Sequence, residues 1–245
     1  NWDFMFYASP KDVPSSVTSA FSKEWESSQI QVPGCWERQG YDRPQYLNFM
    51  YPIPVNPPRV PAENPTGVYQ RQFEIPASWL DSQVILTFLG VSAAYEVFLD
   101  GQFVGASKGS HLTSEFNLTE MVKPSQRHTL TVIVFKWCDG AYLEDQDMWR
   151  LHGIFRDVYL TARPAVHLHD VELKPDFNPL DSLGALEMRF STNSGDQLPL
   201  RISLKDSAGQ EIFHHEGLSE KKVSKRGLRI QPWTAETPHL YTLVI

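Results

Sequence analysis

The stretch YEVFLDGQFVG, residues 95–105, constrains this chain more than any other. Tyr95, Val97 and Leu99 alternate, Asp100-Gly101 interrupts, and Phe103 resumes the pattern. Asp-Gly between alternating apolar runs predicts a type I′ hairpin, because both central residues must accept positive φ. Strand patterns surround it. QVILTFLG (83–90) is almost continuously apolar, as a strand covered on both faces would be. TGVYQRQFEI (66–75) has Tyr69, Phe73 and Ile75 on one face, with Arg71 breaking the alternation. HTLTVIVFKW (128–137) and GIFRDVYLT (153–161) read as further strands. Short helical turns fit PASWLD (76–81) and LTEMVK (118–123).

YPIPVNPPRVPAENPTG (51–67) holds six prolines, each fixing φ and removing an amide donor. It predicts an extended, ordered excursion, and Tyr51, Ile53, Val55 and Val60 within it call for burial. Arg163-Pro164 reads as a boundary, giving domains over 1–163 and 164–245. Beyond it, VHLHDVELKP (166–175), GALEMRFST (184–192), PLRISLKDSAG (199–209) and HLYTLVI (239–245) make a second strand series. Their spacing suits a small immunoglobulin-like sandwich. EKKVSKRG (220–227) reads as a basic, solvated hairpin tip, and KDSAGQEI carries a turn at 207–210. The fold class is therefore all-β, with two antiparallel sandwiches in tandem. NWDFMF at the start and LYTLVI at the end sit inside strand patterns, which suggests a piece of a longer chain.

Apolar residues are 41% and aromatics 12%, enough for a substantial core. The formal net charge is −7, and there is no basic cluster to neutralise phosphates, so nucleic acid is not an expected partner. No apolar run is long enough to span a bilayer, and no signal-peptide pattern is present. Cys35 and Cys138 are the only cysteines and make no disulfide framework. A cytoplasmic location is expected.

The richest chemistry lies in YLEDQDMWRLHGIFRDVYL (142–160), with Glu144, Asp145, Asp147, Trp149, Arg150 and Arg156. Three acids on one loop repel unless arginines or a cation offset them, and a salt-bridged loop explains most of them. Glu144 and Asp145 are expected to pair with Arg150, Arg156 or backbone amides. Trp149 beside Asp147 offers an aromatic face and an acidic acceptor, which suit a sugar, although a core tryptophan is the commoner use. Asp and Asn oxygens suit a hard cation, whereas His167, His169 and His214-His215 lack the partners of a zinc site. No nucleophile elbow or phosphate-cradling glycine loop is present.

This stretch resembles the signature loop of family 2 glycoside hydrolases, in particular the large, evolved-type bacterial β-galactosidases. VPGCWERQGYDRPQYLNFMYPIPVNPPRVPAENPTGVYQRQF, YEVFLDGQFVGASKGSHLTSEFNLT and PWTAETPHLYTLVI are similar to that family in order and spacing. The resemblance implies a jelly-roll, galactose-binding-like sandwich, then an immunoglobulin-like sandwich. It also implies a downstream (β/α)₈ barrel holding both catalytic glutamates. No catalytic residue is then expected in this chain. Asn48 matches an asparagine that contacts the galactosyl group, and Asp147 an aspartate that binds sodium and a galactose hydroxyl. Tyr46 and Phe49 flank Asn48 at matching positions and are as readily explained by packing under the proline-rich loop.

The whole enzyme is expected to use sodium and magnesium, to be a tetramer, and to cleave terminal β-galactosides. The fragment alone is expected to be inactive and to hold neither metal tightly. Some members place a structural magnesium against a glutamine and an aspartate of this domain. Asp139 keeps the second position, but Lys108 stands at the first, so no such magnesium is expected. A free-standing carbohydrate-binding module and a β-glucuronidase of the same family are the alternatives.

Overall fold

The computed structural model describes residues 1–18, 27–144, 146–219 and 222–245. Asp145 lies outside the described residues, as do Glu220 and Lys221 of the basic tract. The chain divides into two compact units, Asn1–Arg163 and Pro164–Ile245.

The first unit contains β1 (Trp2–Tyr7), β2 (Ser28–Ile30), β3 (Gln45–Tyr46), β4 (Thr66–Glu74), β5 (Gln83–Phe88) and β6 (Ala94–Leu99). It continues with β7 (Gln102–Lys108), β8 (Ser114–Asn117), β9 (Arg127–Phe135), β10 (Trp149–Arg150) and β11 (Val158–Arg163). A six-stranded sheet runs β2-β1-β4-β9-β6-β7, and a three-stranded sheet runs β11-β5-β8. All pairings are antiparallel. Inward residues of the two sheets form one core: Phe4, Tyr69, Val97 and Val132 from the larger, Leu86 and Phe88 from the smaller. Fully burying each such side chain contributes about 1.5–3 kcal/mol.

The Asp100-Gly101 turn forms as expected, with φ of 49° and 83°. The turn pairs Phe103 with Phe98, however, so Phe103 is exposed, its ring 5.5 Å from that of Phe98, and the ladder shifts only beyond this pair, between Val97 and Phe98. Strand β5 is buried on both faces over residues 84–88. Strand β4 is buried through Thr66–Gln70, because Val68 faces a second cluster with Val17 and Ile133 while Tyr69 faces the main core. A short 3-10 helix occupies Ala77–Trp79. The 153–161 stretch is strand only from Val158, where β11 begins and runs on to Arg163. Before it, the Ile154 carbonyl accepts from the Gly34 amide at 2.9 Å, and Gly153 bridges to Ser92.

In the proline-rich excursion Ile53 is buried and Val55 exposed. Tyr142 anchors this segment. Its phenol lies 2.7 Å from the Arg59 carbonyl and 2.9 Å from the Pro54 carbonyl, while Tyr51 donates to the Tyr142 carbonyl at 3.1 Å.

The second unit contains β12 (Leu168–Asn178), β13 (Leu183–Thr192), β14 (Pro199–Lys205), β15 (Glu211–Leu218), β16 (Val223–Arg229) and β17 (Thr242–Val244). They form two three-stranded sheets, β12-β13-β16 and β15-β14-β17. Met188 from one and Ile202 from the other are fully buried in the shared core. The basic tract is therefore not a loop tip from Val223 onward. Val223 and Leu228 turn inward, while Lys225 and Arg226 stay in solvent. Gly227, at φ 72°, breaks the period-2 pattern between them and hides it from the sequence. The Asp206 carboxylate closes the following turn by accepting from the Ala208 and Gln210 amides.

Candidate functional site

Strands β3 and β10 form a two-residue ladder on the first unit, pairing Tyr46 with Trp149 and Gln45 with Arg150. The ladder brings two loops together, 45–50 and 144–150. Tyr46 and Trp149 stand side by side, their ring centroids 5.6 Å apart and tilted by 43°. They are 46% and 58% exposed, so both keep an open aromatic face.

The Tyr46 phenol donates to Oδ1 of Asp147 at 2.6 Å. Among the described residues the other carboxylate oxygen, Oδ2, accepts no hydrogen bond. This bond raises the Tyr46 phenol above its ordinary pKa; desolvation adds to that, and the Asn48 side chain on the same phenol opposes it. Asn48, Phe49 and Asp147 are all exposed. The structure thus joins Asp147 to Tyr46, with Asn48 two residues along the same loop.

Glu144 holds the loop beside Asp147. Oε1 of Glu144 accepts from the Ser110 amide at 2.9 Å, and Oε2 accepts from its hydroxyl at 2.6 Å. The buried Arg150 guanidinium donates to the Glu144 carbonyl at 3.1 Å. Glu144 therefore finds a backbone amide, as expected. Arg156 instead donates to the carbonyls of His111 and Leu89. The expected pairing of Asp145 falls outside the described residues.

Below the surface lies a pair that sequence reasoning missed. Glu37, in the 3-10 turn Trp36–Gln39, accepts from the His152 amide at 2.9 Å and from Nδ1 at 2.7 Å. Both residues are buried, and the His152 ring sits 5.9 Å from Trp36 and 5.2 Å from Trp137. Burial pushes the His152 imidazole below its ordinary pKa, against the opposing pull of Glu37. A neutral ring with its hydrogen on Nδ1 fits this position. Nothing in the sequence joins residues 115 apart; only the crossing of their loops does.

Lys108 places its ammonium on both oxygens of Asp139, at 2.8 and 2.7 Å. The hydrogen bond to Lys108 holds the Asp139 carboxyl below its ordinary range, and the Lys108 ammonium is correspondingly raised. A divalent cation on this carboxylate would face that ammonium, so these residues do not fit one. The oxygen donors of Asp147 and Asn48 do fit a hard monovalent cation. Among the described residues, no three His, Cys, Asp or Glu side chains cluster as metal ligands.

Residues 1–164 match the family described as "Glycosyl hydrolases family 2, sugar binding domain". The β-galactosidase of Alteromonas mediterranea is 36% identical over all of this chain, and that of Yersinia pestis bv. Antiqua (strain Angola) 38%. The chain spans 25% of the length of each. Among solved structures, a β-glucuronidase of an uncultured Clostridium sp. shares the fold, with a TM-score of 0.74 and 18% identity. That likeness covers 99% of this chain and 40% of the other. A Ruminococcus gnavus β-glucuronidase superposes comparably, with a TM-score of 0.73 and 15% identity. The matched part of both solved structures shares the fold of this chain, and by the family match this chain belongs to glycosyl hydrolase family 2, whose sugar-binding domain it carries.

Proposed function

We propose that the chain is the non-catalytic N-terminal portion of a retaining β-galactosidase. It supports a downstream barrel of the same polypeptide and extends Asn48 and Asp147 to the galactosyl group. The observation that carries this reading is the exposed cluster of Asp147, Asn48, Tyr46 and Trp149. Two aromatic faces and two polar side chains stand in the open, as half of a pocket would. Identity of 36–38% along the whole chain favours galactosidases over the glucuronidases that share only the fold.

Asp147, through its unoccupied oxygen, and the Asn48 amide would hold sodium; the bound ion supplies a fixed positive charge against a sugar hydroxyl. Hydrolysis would proceed through a glycosyl-enzyme intermediate on two carboxylates of the barrel. Magnesium has no place on Asp139. We place the full-length protein in the cytoplasm as a homo-tetramer.

The test is Asp147→Asn in the full-length protein. The expected result is a rise in KM for a nitrophenyl β-galactoside and loss of its sodium dependence, with little turnover of the matching glucuronide. Unchanged KM and sodium response would refute the reading. The exposure of Trp149 and Tyr46 also favours a second possibility, a free-standing carbohydrate-binding module. Saturable quenching of tryptophan fluorescence by galactose in this chain alone, abolished by Asp147→Ala, would select it.

A further inference from the structure

We infer that a small cavity shared by Lys136 and His152 is a binding site for ordered water, and that this water joins two buried charged pairs into one network.

The pairs are Glu37 with His152 and Asp42 with Lys136. Lys136 directly follows β9, and its ammonium donates to Oδ2 of Asp42 at 2.6 Å. That ammonium stands 5.0 Å from the centre of the Trp137 ring, and the His152 ring lies 5.2 Å from the same indole. Lys136 and His152 both line a cavity of about 40 Å³, together with Trp137, Ser110, Glu144 and Arg150.

An ammonium has three hydrogens to donate, and a neutral imidazole has one hydrogen and one lone pair. Asp42 takes one hydrogen of Lys136, and Glu37 takes the hydrogen on Nδ1 of His152. Burial keeps the imidazole neutral against the pull of Glu37, and the Lys136 charge adds to burial. Among the described residues, none donates to Nε2 of His152 and none accepts the other two hydrogens of Lys136. Both side chains are only 4% exposed, so bulk solvent does not serve them. Buried polar groups of this kind are satisfied by protein or by ordered water.

The lining selects the occupant. An anion would accept from Lys136, but it has no hydrogen for Nε2 and would face the Glu144 carboxylate. A cation would face the charges of Lys136 and Arg150. Water does both tasks, accepting from Lys136 and donating to Nε2. Each water needs roughly 10–15 Å³ of such space and two to four polar partners. A cavity of about 40 Å³ therefore holds about two or three. The further waters reach Glu144, whose two carboxylate oxygens each take one hydrogen bond from Ser110 and can accept more.

Glu37 and Asp42 lie on the stretch that runs into β3, whereas Lys136 and His152 follow β9 and β10. The shared water thus ties both clasps together at the base of the paired β3 and β10 loops.

The experiment is a crystal structure of the full-length protein at a resolution that shows water, grown at about pH 8, above the ordinary histidine pKa. One crystal is soaked in sodium bromide and one is not. The expected result is a water peak within about 3.2 Å of both Nε2 of His152 and Nζ of Lys136, with no anomalous bromide signal in the cavity. Bromide at that position, or no peak bridging the two atoms, would overturn the inference. Two variants test the bridge itself. His152→Asn keeps a donor for Glu37 and removes the Nε2 acceptor; Lys136→Met keeps the length of the side chain and removes its donors. Each is expected to lose the bridging peak while the other residue stays in place. A peak unchanged in either variant overturns the bridge. If neither variant folds, the maps of the parent protein decide alone.

Discussion

Replacing Glu37 by alanine removes the acceptor of two buried donors, the amide and Nδ1 of His152. Each orphaned buried donor costs about 1–3 kcal/mol. Relief from burying a carboxylate offsets part of this, and the space left by the Glu37 methylenes adds to it, for a net cost of about 3–5 kcal/mol. For a unit of this size, about 3–5 kcal/mol lowers the melting temperature by roughly 6–20 °C. Urea unfolding of the wild-type and Glu37→Ala chains, followed by tryptophan fluorescence, measures the difference. Trp36 and Trp137 flank His152 and report on this region directly. Glu37→Gln separates the contributions, since its amide oxygen can keep one of the two bonds, and it should fall between wild type and Glu37→Ala. A loss below about 1 kcal/mol in Glu37→Ala would refute the account, because exposed polar substitutions cost no more than that.

Two further outcomes follow from the same region. The His152 imidazole is depressed by burial, so the unfolded chain binds its proton more readily than the folded one. Its contribution is fully present above the ordinary histidine pKa, about 6.5, and is lost as pH falls below it. The unfolding free energy from denaturant titrations should decline between pH 6.5 and 5 with a slope of at most about 1.4 kcal/mol per pH unit from this group; a flat profile there would contradict the assignment. Gly153 has φ of 112°, and a Cβ there would meet the Tyr69 hydroxyl at 2.6 Å. Gly153→Ala should therefore destabilise the first unit by about 2–4 kcal/mol in the same urea assay, the sum of a positive-φ penalty and a displaced core tyrosine.

The hairpin of β6 and β7 was legible because Asp100-Gly101 is a local signal, decided by two residues and their φ values. The doubly covered β5 was legible for a similar reason, as its apolar run fits no half-exposed element. Strand β16 was not, because its lysines and arginines outnumber its two inward side chains and Gly227 interrupts their rhythm. Phe103 misled for the opposite reason: a two-residue turn pairs it with Phe98, on the face away from Val97 and Leu99. At the site, Asp147 and Asn48 stood out through their resemblance to a known family, since isolated acids and amides carry no pattern of their own. The contact of Tyr46 with Asp147, 101 positions away, emerged only from the structure. Glu37 and His152 were hidden by the same long separation.

The fastening of the 144–152 segment has a consequence for how the site comes into being. One end is tied to Ser110 beyond the central hairpin, the other to Glu37 near the start of the chain, and Tyr46 grips the middle. None of these anchors is a sequence neighbour of Asp147. The exposed cluster around Asp147 is therefore assembled only when distant parts of the polypeptide have closed on one another. A synthetic peptide copying 142–160 would carry every residue of the loop and present none of them in place.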